Sequence, residues 1–175
     1  MEKVGGQNIN RKEKRNTGHL DVQAVKIGFV GSSGGHLAHL YRLKPFWEQY
    51  ERFWVTFDKE DARSLLSGER FIPCVFPTNH SLQALVKNTV LAWKVLRRER
   101  PSLLVSTGAA AAFPFFLVGK LFHCKLVFIE VYDRFDRLSL TGRLVYPLAD
   151  RFFVQWPELQ KKYPRAKYIG NIFGD

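Results

Sequence analysis

Short apolar runs alternate with helix-like segments along this chain, and that alternation restricts its fold more than any other feature. Apolar runs predict buried strands at 25–30, 53–57, 71–76, 103–106, 125–129 and 151–155, with a short edge strand at 167–170. Apolar residues at helical spacing predict helices at 37–50, 61–66, 81–100, after the 108–112 loop, and from Ser139 or Thr141 to 148. Because the sequence has no Asn-Gly hairpin signal, we predict an α/β fold with a doubly wound, Rossmann-like parallel sheet.

The helix predicted at 81–100 has definite ends and an apolar stripe. Ser81 is its predicted N-cap, and Pro101 ends it. Helical spacing places six apolar residues on one face: Leu82, Leu85, Val86, Val90, Trp93 and Leu96.

A glycine-rich loop follows the first predicted strand and opens the first helix. Its residues are Gly31, Ser32, Ser33, Gly34, Gly35 and His36. Such a loop presents backbone N–H groups at a helix N-terminus, where an anion such as phosphate binds. His36 would place a titratable imidazole beside the anion, or simply cap the helix or lie exposed. A dinucleotide site using Asp58 as a ribose-binding acid is the alternative, although the spacing is not Gly-x-Gly-x-x-Gly.

Two further strand ends carry candidate site residues. The loop at 106–112 offers small side chains and hydroxyl donors, including Thr107 and Gly108, where a ligand approaches the backbone closely. Close packing of a helix on the sheet would require the same small residues. Glu130 follows the strand at 125–129 and could bind sugar hydroxyls, act as a base, or pair at the surface with Arg134 or Arg137. Ligands of such sheets bind at the carboxyl ends of the strands, where all these residues lie.

The composition fits a basic chain with one hydrophobic core. The 175 residues, 46% of them hydrophobic, suffice for one domain or half of a two-domain enzyme. A formal net charge of +11 suits a phosphorylated substrate, an anionic membrane surface or nucleic acid. Nucleic acid is disfavoured because neither zinc-ligand spacing nor an aromatic RNP strand is present. Cys74 and Cys124 lack metal or disulfide spacing, so we predict two buried free thiols and no metal site.

Two segments bear on the domain boundaries and on the membrane. Residues 1–24 are polar and basic, so we predict a disordered leader followed by one domain at 25–175. The apolar segment 103–122 is as long as a bilayer is thick, but Gly108, Pro114 and Lys120 interrupt it. We therefore predict a strand, a loop and a helix there.

Several motifs together resemble one known family. They are GSSGGH at 31–36, STGAAAAFPF at 106–115, Glu130, LSLTGRLVY at 138–146, Ala149-Asp150, FVQW at 153–156 and YPRAKYIG at 163–170. The chain resembles the asparagine-linked glycosylation protein fourteen family and its bacterial relatives, the PssD-type subunits of polysaccharide biosynthesis. The similarity extends from Lys26 to Ile172, and LSLTGRLVY is its most specific block.

This resemblance implies the acceptor-side half of a split GT-B glycosyltransferase, similar to the N-terminal domain of MurG. The implied reaction moves a sugar from a UDP-sugar to a polyprenyl-diphosphate-linked acceptor, with inversion and without a metal or other cofactor. A separate subunit, the family's protein thirteen or a PssE-type protein, would bind the UDP-sugar. The pair would work at the cytosolic face of a membrane, and the chain alone would be inactive.

The resemblance also implies roles for the loop residues. The implied acceptor-diphosphate residues are Gly31, Ser32, Ser33, Gly34, Gly35, Thr107 and Gly108. His36 becomes a candidate general base or diphosphate ligand, and Glu130 matches the family's strand-end glutamate. Eukaryotic members carry a hydrophobic N-terminal anchor, whereas residues 1–24 are polar, so we expect peripheral attachment to an anionic membrane surface. The alternative function is a stand-alone NAD(P)-binding oxidoreductase.

Overall fold

Within the described residues the strands form a seven-stranded sheet, and every pair of neighbouring strands in it is parallel. The computed structural model describes residues 25–76, 82–109, 111–172 and 174, so the predicted leader at 1–24 and the predicted cap Ser81 lie outside the described residues. The strands are β1 (Lys26–Val30), β2 (Glu51–Phe57), β3 (Phe71–Cys74), β4 (Leu103–Ser106), β5 (Lys125–Ile129), β6 (Arg151–Val154) and β7 (Ala166–Tyr168). Their order across the sheet is β3-β2-β1-β4-β5-β6-β7, which confirms the predicted doubly wound fold.

The helices largely follow the predicted pattern. They are α1 (Gly35–Arg42), α2 (Lys44–Trp47), α3 (Glu60–Leu65), α4 (Leu82–Glu99), α5 (Ala112–Leu121), α6 (Leu140–Val145) and α7 (Pro157–Lys162). The first predicted helix is split at Leu43 into α1 and α2. The sequence analysis missed α7, although Pro157 at its first position and lysines in its last turn are ordinary signals of helix ends.

Two apolar clusters form the core. One contains Trp47 and Trp54 and lies under α1 and α3, and the other contains Phe116 and Phe128 and lies under α4 and α5. Burying each of these aromatic side chains stabilises the fold by roughly 1.5–3 kcal/mol. Cys74 and Cys124 are buried free thiols, as predicted, and burial raises the pKa of Cys74 to about 12. Because an apolar cluster packs on each face of the sheet, the strand ends that carry the loops at its carboxyl edge are held in place.

Five of the six residues of the predicted apolar stripe of α4 face outward, and the prediction is wrong for the sixth, Leu96, which is fully buried. Leu82, Val86, Val90 and Trp93 are 73%, 56%, 50% and 47% exposed. The opposite face of α4 is buried, and it carries Ala84, Ala92, Val95 and Leu96 together with Asn88 and Glu99. Both polar groups have partners: the Asn88 side chain bonds the backbone of Val75, and Glu99 pairs with Lys26 and Arg70. In the N-terminal half of α4, alanines and the satisfied Asn88 take the core face, so the larger apolar side chains there are left at the surface, whereas Val95 and Leu96 join the core near the other end.

The segment 103–122 folds as predicted, into β4, a loop and α5. Within the part of the chain that the structure describes, no helix combines the length and the apolar character needed to cross a membrane.

Candidate functional site

The two glycine loops begin side by side at the carboxyl edge of the sheet. β1 and β4 are adjacent, and Val30 pairs in register with Ser106. The loop at 31–34 leads from β1 into α1, and the loop that begins at Thr107 leads from β4 into α5. In a doubly wound sheet this is where ligands bind.

Two hydrogen bonds join the loops through His36 and Thr107. Nδ1 of His36 lies 3.0 Å from the backbone oxygen of Thr107, and Oγ1 of Thr107 donates to the backbone oxygen of His36 at 2.8 Å. Because a carbonyl oxygen only accepts, Nδ1 must carry the ring proton. In the neutral imidazole, Nε2 therefore holds the lone pair that can take up a proton.

Gly108 makes this contact possible. Its φ of +117° lies in a region that favours glycine, and a Cβ on it would stand 3.2 Å from Cε1 of His36. Any side chain here would strain the backbone and press on the imidazole. Gly108 thus serves the placement of His36.

The environment of His36 keeps the ring neutral. Burial is the main cause that lowers the pKa of His36, and Arg134 acts in the same direction. The hydrogen bond to Thr107 and the charge of Asp133 oppose the shift without reversing it. A neutral imidazole at neutral pH is the form that accepts a proton.

Part of the first loop already contacts an oxygen anion. The N–H of Gly34 donates to Oδ2 of Asp61, on α3, at 2.6 Å, while the N–H of Gly31 donates to the backbone oxygen of Val55 at 3.1 Å. Sequence reasoning missed Asp61, because 27 residues separate it from Gly34. Ser32 and Ser33 are half-buried in the same turn. The loop offers amide donors to a carboxylate, and a phosphate oxygen would require the same donors.

Glu130 lies in the interior. Its side chain is fully buried, so the expectation of a surface acid paired with Arg134 or Arg137 is wrong. Oε2 accepts hydrogen bonds from the backbone N–H of Ser139 at 2.9 Å and from its hydroxyl at 3.1 Å, and Oε1 accepts from the N–H of Val131 at 3.2 Å. Burial raises the pKa of Glu130 despite these bonds, which lower it.

The carboxylate of Glu130 fixes the start of α6. Ser139 is the N-cap of α6, as one of the two predictions had it, and its hydroxyl accepts from the N–H of Gly142 at 2.9 Å. The other predicted cap, Thr141, is wrong, because it lies inside the helix. A Cβ on Gly142 would collide with Oε2 of Glu130. These contacts give the LSLTG motif a physical role.

Gln155 ties the C-terminal segment to the same strand end. Its Nε2 donates to the backbone oxygen of Glu130 at 2.9 Å, and its Oε1 accepts from the N–H of Ile172 at 3.0 Å. Gln155 is buried, and the sequence analysis assigned it no role. A glutamine at the end of the apolar run at 151–155 is the sequence signal that could have identified it.

Asp58 is engaged elsewhere. Its two carboxylate oxygens accept hydrogen bonds from Nε and one terminal nitrogen of Arg63, at 2.6 and 2.8 Å. That pairing lowers the pKa of Asp58. Among the described residues no group of His, Cys, Asp and Glu has an arrangement that could hold a metal ion.

Fold and site together define a class: a Rossmann-like domain of the kind found in GT-B enzymes. Over 84% of the chain, the structure resembles MurG of Acinetobacter baumannii, with a TM-score of 0.68 and 13% identity, and it spans 45% of that enzyme. It also resembles MnaA of S. aureus, solved with UDP, with a TM-score of 0.67 and 16% identity over 85% of the chain and 45% of that protein.

Sequence comparison narrows the class to one family. Residues 75–172 match the family model "Oligosaccharide biosynthesis protein Alg14 like". The UDP-N-acetylglucosamine transferase subunit ALG14 of Debaryomyces hansenii is 30% identical over 81% of the chain and 73% of its own length. The chain belongs to the Alg14 family, as the sequence motifs indicated.

Proposed function

We propose that this chain is the acceptor-binding subunit of a two-part glycosyltransferase that uses a UDP-sugar, UDP-GlcNAc or a close analogue. The acceptor is a polyprenyl-diphosphate-linked sugar in oligosaccharide or polysaccharide biosynthesis. The name of the yeast relative, a UDP-N-acetylglucosamine transferase subunit, supports the transfer reaction and the existence of a partner. Membership of the Alg14 family, with a relative named as a transferase subunit, favours this function over the dinucleotide alternative.

The observation that carries the proposal is the contact between His36 and Thr107. It joins the two glycine loops and leaves Nε2 as the basic nitrogen of a neutral imidazole. We assign His36 as the general base that removes the proton from the acceptor hydroxyl. That oxygen then attacks the anomeric carbon of the donor sugar, the bond to UDP breaks, and inversion results from a single displacement.

The remaining site residues are assigned to binding and positioning. We assign the first loop to the acceptor diphosphate, whose oxygen would displace the Asp61 carboxylate from the N–H of Gly34. Thr107 and Gly108 are assigned to positioning His36, because the Thr107 hydroxyl donates to the His36 carbonyl and the Gly108 N–H donates to Oγ of Ser106. Glu130 is assigned a positioning role, because its oxygens bond Ser139 and Val131. We assign no metal or other cofactor to the reaction.

A separate subunit, corresponding to the family's protein thirteen or to a PssE-type protein, supplies the UDP-sugar site. The chain aligns with 45% of MurG, which is the share expected of one half of a GT-B enzyme. We propose that the pair works at the cytosolic face of a membrane. The net charge of +11 and the outward apolar stripe of α4 support contact with an anionic bilayer.

Reconstitution tests the assignment. Radiolabelled UDP-GlcNAc and a polyprenyl-diphosphate-GlcNAc acceptor are incubated with this chain, with the partner subunit, and with both together. We expect labelled lipid product only with both subunits. Turnover by this chain alone would contradict the split enzyme, and failure of the pair with every UDP-sugar tried would contradict the transferase assignment.

A further inference from the structure

A pocket of about 560 Å³ lies between the C-terminal ends of α4 and α5, and the proposed reaction makes no use of it. Its walls are mainly apolar, with Trp93 and Leu96 from α4 and Leu121 and Phe122 at the end of α5. The rings of Trp93 and Phe122 meet edge to face, with centroids 5.0 Å apart. A volume of this size fits part of a lipid or another small ligand.

Two arginines, Arg97 and Arg100, are the charged lining residues. Both are exposed, and neither forms an ion pair with a carboxylate of the described residues. Their neighbour Arg98, by contrast, bonds Glu99 at 2.8 Å. Arg100 has a φ of +46°, a conformation that usually falls to glycine after a helix.

The pocket is remote from the glycine loops. Pro101 and Cys124, which line it, precede β4 and β5 and so lie at the amino edge of the sheet. Thr107 and Gly108 follow β4 at the opposite edge, roughly 13 Å along a four-residue strand. A ligand in this pocket is therefore a different molecule from the acceptor diphosphate at His36.

The surroundings indicate what kind of molecule it is. Trp93 belongs both to the pocket and to the exposed apolar stripe of α4, and Leu121, 65% exposed, lies beside it. A ligand would thus meet two guanidinium groups and an apolar wall that continues onto the proposed membrane face. Guanidinium groups bind phosphate through paired hydrogen bonds, and the apolar wall suits an acyl chain.

We propose that this pocket binds one anionic phospholipid, with its phosphate between Arg97 and Arg100 and an acyl chain against Trp93 and Leu121. The inference rests on the membrane contact in the proposed function and adds a specific headgroup site to it. The phospholipid would hold the C-terminal ends of α4 and α5 at the bilayer without entering the reaction.

Titration with a soluble lipid tests the pocket. Dioctanoyl-phosphatidylglycerol, kept below its micelle concentration, is added to the 175-residue chain while tryptophan fluorescence is recorded. We expect a saturable change that is absent from Trp93→Phe. The double variant Arg97→Gln/Arg100→Gln should bind at least about tenfold more weakly, since each arginine supplies a charge-assisted hydrogen bond. The matched control Lys87→Gln/Lys94→Gln removes the same charge from the same helix outside the pocket and should stay within about twofold.

Three results would overturn the proposal: no saturation, equal affinity for dioctanoyl-phosphatidylcholine, or equal loss in the lysine control. Thermal melts of both double variants verify the fold. Sedimentation with phosphatidylglycerol vesicles, run in parallel, distinguishes the lipid pocket from the general membrane contact of the proposed function. If vesicles bind and the short-chain lipid does not saturate, the pocket fails and the membrane contact stands. If neither binds, both fail, while the transferase assay remains an independent test of the reaction.

Discussion

His36 is the residue on which most of the proposed chemistry depends, and its contacts make its behaviour testable. The Thr107 carbonyl fixes the tautomer of the ring, and Gly108 leaves room for it. Sequence reasoning identified all three residues, because each lies in a loop that follows a predicted strand of a parallel sheet. It could not identify the hydrogen bonds between them, since 71 residues separate His36 from Thr107.

Replacing His36 tests its role as the base. In the reconstituted pair with saturating acceptor, we expect His36→Ala to lower kcat by about 10²–10⁴-fold. The control is His123→Asn, an exposed histidine whose positive φ asparagine tolerates, and it should leave kcat unchanged. Near-normal kcat in His36→Ala would exclude the base and leave only diphosphate binding.

The pH profile gives a second readout on the same residue. Burial lowers the pKa of His36 below its ordinary 6.5, so the basic form persists into mildly acidic solution. Activity should fall as the pH drops through that lowered pKa, and the acid limb of the kcat profile should therefore lie below pH 6.5. An acid limb above pH 6.5 would contradict the structure around the imidazole.

Among the elements, α6 and its junction with β5 show where sequence reasoning succeeds and where it stops. The cap Ser139 was predictable from local sequence, because a serine before a helix accepts from the first turn. The contact of Glu130 with this cap was not predictable, because the sequence around Glu130 fits a surface acid equally well. Its burial depends on how the segment from Val131 to Leu138 folds back over the strand end. The outward stripe of α4 is a similar case, because periodicity defines a face without saying which way it points.

The contact between Glu130 and the start of α6 should contribute to the stability of the fold. Gly142→Ala places a methyl group against Oε2 of Glu130 and should lower the free energy of unfolding by about 1–3 kcal/mol. Gly35→Ala is the control, because a Cβ there, at the first position of α1, meets no atom within 4 Å. Urea denaturation followed by circular dichroism compares the two. Equal stability of both variants would mean that the strand end does not hold α6 in place.

In the whole molecule, the two edges of the sheet have different proposed roles, the reaction at one and lipid binding at the other. The carboxyl edge holds the paired loops, and the amino edge holds the lipid pocket. The outer face of α4 runs between them, with Val86 toward the first and Trp93 toward the second. The overall fold was predictable because alternating strands and helices admit few parallel arrangements. The different roles proposed for the two edges were not predictable, since they depend on which side chains the packed helices leave at the surface.

The membrane contact is tested by making the outer face of α4 polar while leaving the net charge of the chain unchanged. Val86 and Val90 are at least half exposed, so Val86→Ser/Val90→Ser should melt at nearly the native temperature. Its affinity for phosphatidylglycerol vesicles should fall about tenfold, because burying each valine contributes on the order of 1 kcal/mol. Binding of the native chain should also weaken as salt screens its charge of +11. Phe46→Ser is the control, since Phe46 is 44% exposed on α2, which packs with the other core cluster. If the valine variant sediments with vesicles as well as the native chain does, or if Phe46→Ser loses as much, the bilayer lies against another surface.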